Sequence, residues 1–191
     1  MVHDPEEVLH FWLEECGPQE WYAGGDALDA RIRDRFAAVW EAARDRKLEG
    51  WRCTARGTLA LLILCDQFPR NMFRGQPKAF ATDAYARRVA SVGISRNMDR
   101  DIGGKAQQFF YLPFEHSESL TDQERAVRLI LLRMEAPDSL LHARAHRQVI
   151  RDFGRFPFRN TALGRQSSRA ELSFLEGGAY GGVLRELQNA A

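Results

Sequence analysis

Three segments place a proline and aromatic rings beside ionisable side chains: D-Q-F-P-R-N-M-F-R at 66–74, Y-L-P-F-E-H-S-E at 111–118, and H-R-Q-V-I-R-D-F-G-R-F-P-F-R-N at 146–160. A guanidinium is a planar fork of donors that matches carboxylate or phosphate, and a proline-fixed turn lowers the entropy lost in aiming it. Arg70, Arg74, Arg155, Arg159 and Arg165, with Asp66, Asn71 and Asn160 beside them, therefore point to a polar cleft for an anion. Phe68-Pro69-Arg70-Asn71 is echoed by Phe156-Pro157-Phe158-Arg159-Asn160, one residue longer, as if one local device were used twice. The competing reading pairs these arginines with Asp66, Glu115, Glu118 and Asp152 and makes them locks between helix ends.

The histidines suggest acid/base work. His116 stands two residues from Glu118, whose carboxylate could orient the ring, and His146 opens the third segment. His116, Glu118 and His146 are the catalytic candidates, with capping and simple hydrogen-bonding roles as the alternative. His142 and His146 are four apart, the spacing of a metal-binding pair, but no HExxH glutamate lies between them, so no metal is expected. GxxxxGK[ST], GxGxxG after a strand and GxSxG are all missing, so no phosphate-loop, dinucleotide or serine-hydrolase machinery is implied, and no cofactor is expected.

Helices must position these groups, because strand signals are almost lacking. Asp4, with Pro5 next and Glu7 three on, should cap a helix ending near Gly17-Pro18. Leu28, Ile32, Phe36, Val39, Trp40 and Ala43 fall on one face of a helix over about 27–46. Residues 54–67 have no polar stripe and read as a central helix, which Pro69 is expected to end. Further helices are expected over about 77–92, stopping at Gly93; over KAQQFFYL; from a Thr121/Glu124 capping box, burying Val127, Ile130, Leu131 and Met134; over 139–153 with Gly154 as its cap; and from a Ser168/Glu171 box to Gly177-Gly178. The fold class is all-α: about seven to eight antiparallel helices, forming a superhelix or irregular bundle. With short links throughout, one domain over 1–191 is expected, 177–191 being a loosely docked tail in which Val183, Leu184 and Leu187 could form a short helix.

Composition restricts the partners. Lys+Arg at 27 against Asp+Glu at 26 gives a formal charge of +1, no basis for gripping a phosphate backbone, so nucleic acid is not expected. Cys16, Cys53 and Cys65 are odd in number and form no CxxC pair, which suits a reducing cytoplasm. No secretory signature opens the chain, and the run Leu59 to Cys65 falls far short of the roughly 20 apolar residues a membrane span needs, so no membrane partner is expected. The partner classes are an anionic small molecule or an acidic peptide.

On WYAGGDALDARIRDRF, LALLILCDQFPRNMFRG, AFATDAYA, FFYLPFEHSE, HRQVIRDFGRFPFRNTALGR and the closing S-x-x-E-L-x-F-L, the chain resembles the bacterial domain-of-unknown-function 924 family. The resemblance implies an all-helical fold like that of tetratricopeptide-repeat proteins, although no 34-residue period is legible. It also implies that Asp66, Phe68, Pro69, Arg70, Asn71, Phe73 and Arg74 are hallmark positions. So are Pro113, His116, Ser117 and Glu118, and, further on, His146, Arg147, Phe153 to Pro157, Arg159 and Asn160. Cys65 and Phe158 depart from the family pattern. Three functions follow as expectations: binding of an anionic small molecule or peptide carboxylate; hydrolase or transferase chemistry on a phosphorylated or carboxylated small molecule; or an internal ion-pair network with no ligand.

Overall fold

A helix with no polar stripe must be covered on every side, and the first half of the chain is built around one. The computed structural model describes residues 3–190, without the side chains of Tyr22 and Ala23. Met1, Val2 and Ala191, which end the expected 1–191 span, and the two side chains within W-Y-A-G-G lie outside the described residues. Every regular element among the described residues is helical. The chain divides into two compact units, residues up to Pro113 and residues from Phe114 onward.

In the first unit the Ala55–Leu62 helix is capped by the Thr54 hydroxyl, which accepts from the Gly57 N–H. The Pro5–Leu9, Asp83–Ser95 and Met98–Ile102 helices cover it. Pro69, expected to end the central helix, instead lies inside its continuation: a π-helical segment, Ile63–Gln67, leads into an α-helical turn, Phe68–Met72. Pro69 has no N–H to offer the Cys65 carbonyl, and the Thr82 hydroxyl donates to that carbonyl at 2.6 Å instead. Earlier in the chain a π-helical segment, His10–Cys16, does end near Gly17-Pro18 as expected: Gly17, at φ +71°, caps it and Pro18 opens the Gly17–Ala23 helix.

Phe68 anchors the continued helix in an aromatic core, its ring centroid 4.9 Å from Phe36, 5.4 Å from Trp12 and 5.9 Å from Phe11. Gly93, expected as a stop, lies within the Asp83–Ser95 helix. A Cβ there would stand 2.8 Å from Phe110 Cε1, so the glycine serves close packing and not termination.

The second unit packs the Pro137–Phe153 helix against the Leu120–Arg133 and Ala179–Asn189 helices. Gly154, at φ +69°, closes the first of these in the left-handed conformation that favours glycine. The Ser168/Glu171 capping box forms at the start of Arg169–Glu176. The Thr121/Glu124 box does not, because that helix begins at Leu120 and Thr121 is already inside it. Leu131 is 56% exposed, off the face that buries Ala126, Val127 and Ile130. The last helix sets Val183, Leu184 and Leu187 against Ala145, Val149, Ile150 and Phe156.

Candidate functional site

The π-to-α continuation decides what the first polar segment can do. It carries Asp66, buried, into contact with Arg70, whose Nη1 donates to the Asp66 carbonyl and lies 3.5 Å from Asp66 Oδ1. The same guanidinium takes Asp83 as a fork, Nη1 and Nη2 each 3.0 Å from a carboxylate oxygen. Burial works against the Arg70 charge, but the Asp66 and Asp83 charges outweigh it and hold Arg70 protonated more firmly than usual. Asp66 also accepts from Gln67 Nε2 at 2.6 Å. Arg70 and Asp66 are thus engaged in fastening the helix across its proline.

Asn71 and Arg74 face a different setting. Asn71 Nδ2 donates to the Gln67 carbonyl at 3.2 Å, and its Oδ1 accepts from Arg74 Nη2 at 3.2 Å. Arg74 forks onto Asp29, with Nε and Nη2 each donating at 2.9 Å. Its side chain stays 58% exposed while that of Asp29 is buried. Hydrogen bonding to Asp29 is the main reason that Arg74 holds its proton more tightly than usual. Gly24, at φ +63°, makes room for it: a Cβ there would stand 3.1 Å from Arg74 Nη2. Together Asp26, Asp29, Arg33, Asn71, Met72, Arg74, Gly75 and Gln76 line a groove of about 450 Å³. Arg33 makes one long hydrogen bond in it, from Nη2 to the Met72 carbonyl at 3.3 Å.

The remaining candidates belong to the second unit. Both oxygens of Glu118 are held by Arg165, at 2.8 and 3.0 Å, and Oε1 also accepts from the Phe156 N–H at 2.8 Å. Burial opposes the Glu118 charge, yet these donors keep the carboxyl below its ordinary range. Arg155 forks onto Glu171 at 2.6 and 2.8 Å, and that bond, the largest cause, holds Glu171 far below the usual carboxylate range. Asn160, buried, donates to Ser167 Oγ at 3.0 Å. Arg159 lies over the Phe156 ring and donates to the His116 carbonyl at 3.0 Å.

His116 and His146 come together edge to face, with ring centroids 6.1 Å apart. His146 also packs against Phe156 and Tyr180, and its Nδ1 is 3.0 Å from the His142 carbonyl. That carbonyl can only accept, so the ring proton sits on Nδ1 and Nε2 keeps its lone pair. Glu115 Oε2 is 3.6 Å from the same Nδ1, yet burial first, and then the neighbouring His116, push the His146 pKa down to about 3. His146 is therefore a neutral imidazole at physiological pH. His142 takes its Nδ1 contact from the Tyr180 hydroxyl at 2.6 Å. Among the described residues no group of three or more His, Cys, Asp or Glu could hold a metal ion, and no helix is long and apolar enough to cross a membrane.

The sequence profile of the family described as bacterial protein of unknown function (DUF924) matches residues 8–179. The chain belongs to the DUF924 family. A solved neighbour, the protein of unknown function ATU0120 from Agrobacterium tumefaciens, is 40% identical to it with a TM-score of 0.86, the match covering 91% of this chain and 97% of that one. A 107-residue stretch, 56% of this chain, is 29% identical to ubiquitin conjugation factor E4 ufd-2 of Caenorhabditis elegans, and it spans 9% of that protein's length.

In this DUF924 chain the charged and polar groove residues that sequence reasoning passed over are Asp26, Asp29, Arg33 and Gln76. A signal was there: positions 26, 29 and 33 follow helical i, i+3, i+7 spacing and lie on one face of the Asp26–Arg44 helix. Spacing alone does not mark Arg33, because nothing in the sequence says that 71–76 packs against it.

Proposed function

We propose that the groove between Asp26, Arg33, Asn71 and Arg74 binds a small anionic molecule or a peptide carboxylate through guanidinium N–H groups left unused by the fold. The observation that carries this reading is the contrast between Arg70 and Arg33. Arg70 has both arms of its fork on Asp83; Arg33 lines the groove with a single long bond to a carbonyl. Arg74 supports it, its Nη1 edge being outside the fork to Asp29. A volume near 450 Å³ suits a small molecule or chain terminus. The three free cysteines support a reducing compartment such as the cytoplasm.

Thermal-shift titration with phosphate, citrate and short carboxylates tests the reading. A ligand at about a hundred times its Kd adds roughly 2.7 kcal/mol, which raises the melting temperature of a chain this size by roughly 5–10 °C. The rise should disappear in Arg33→Ala, whereas a general salt effect would survive there. A response equal in both proteins, or none to any anion, counts against the groove.

A second reading, acid/base chemistry on a phosphorylated or carboxylated small molecule, draws on the neutral His146 beside His116. Phosphatase and esterase screens of the native protein and His146→Gln address it. Turnover that is the same in both would end it.

A further inference from the structure

The groove is lined by two guanidiniums and two carboxylates. Arg74 and Asp29 neutralise one another through two 2.9 Å bonds. That leaves Arg33 and Asp26, one charge of each sign. Among the described residues neither is held in an ion pair, Arg33 donating only to the Met72 carbonyl and Asp26 acting on Arg74 through space. A bare anion entering here would meet the guanidinium donors but also the unpaired Asp26 carboxylate. A molecule that carries a carboxylate at one end and an ammonium at the other would match both.

We infer, resting on the anion-binding reading above, that the ligand of this groove is a small zwitterion of the amino-acid or short-peptide class, its carboxylate on Arg33 and Arg74 and its ammonium on Asp26. The carboxylate would take the free N–H groups of Arg33 and Nη1 of Arg74. The ammonium would supply the counter-charge that Asp26 lacks. Arg33→Ala removes the first contact and Asp26→Asn the second, and both positions are on a long helix whose buried face they do not join.

Three probes share a carboxylate on three methylenes and differ only in what the far methylene carries: butyrate (a hydrogen), 4-aminobutyrate (an ammonium) and glutarate (a second carboxylate). Calorimetric titration should rank 4-aminobutyrate tightest, by about fivefold or more over glutarate, the size of one partly exposed charge-assisted contact. Asp26→Asn should erase that preference, while butyrate, no longer facing the Asp26 carboxylate, should bind no more weakly than to the native protein. Glutarate binding as well as 4-aminobutyrate, with both lost in Arg33→Ala, would overturn the zwitterion assignment while leaving anion binding in place. A 4-aminobutyrate affinity untouched by Asp26→Asn would overturn it as well. No Arg33-dependent binding of any of the three would overturn both readings together.

Discussion

Replacing Arg70 by alanine is expected to lower the unfolding free energy by about 3–5 kcal/mol, the cost of removing one partner from a buried charged cluster. Asp66 and Asp83 would keep their negative charges with no guanidinium between them, and the Asp66 carbonyl would lose its donor. The loss should appear as a shift of the urea midpoint with the slope unchanged. Adding Asp83→Asn should recover part of it, because one of the stranded charges is then gone. A shift under about 1 kcal/mol would place Arg70 among ordinary surface arginines.

Acidification should weaken the second unit through His146. In the unfolded chain its imidazole titrates near 6.5; burial holds the folded value near 3. The unfolded state therefore binds more protons between those two values, so this group's contribution is complete above pH 6.5 and shrinks as pH falls. From pH 7 to pH 5 the difference amounts to about 2 kcal/mol, at roughly 1.4 kcal/mol per unit below 6.5. His146→Gln, which keeps an N–H for the His142 carbonyl, should flatten the pH dependence over that window. Parallel curves for the two proteins would mean that His146 takes up its proton as readily in the folded chain as in the unfolded one, with Glu115 offsetting the burial.

Much of the helical pattern was legible because it is local. The apolar stripe at Leu28, Ile32, Phe36, Val39 and Trp40, the Ser168/Glu171 capping box and the Gly154 cap are written within one or two turns of chain. Pro69 misled because its ring is tolerated through a long-range contact: the Thr82 hydroxyl that satisfies the Cys65 carbonyl lies 17 residues away. The site was half legible for the same reason. Residue type marked Arg70 and Arg74 alike as anion-binding forks. What separates them is which acids meet them, Asp83 13 residues on and Asp29 45 residues back. Pairing of that kind leaves no trace in spacing, and it is what turns one arginine into a fastener and leaves another with donors to spare.

The division of labour between Arg70 and Arg33 is tested most directly by measuring both stability and ligand affinity for Arg33→Ala and Arg70→Ala against the native protein, with whichever anion or zwitterion stabilises the latter. Arg33→Ala should melt within a degree or two of the native protein and lose at least about tenfold in affinity, as expected for a charge-assisted contact on an otherwise uninvolved side chain. Arg70→Ala should melt far lower and, below its transition, bind with nearly native affinity. Native affinity in Arg33→Ala, or affinity and stability falling together in both variants, would contradict this account.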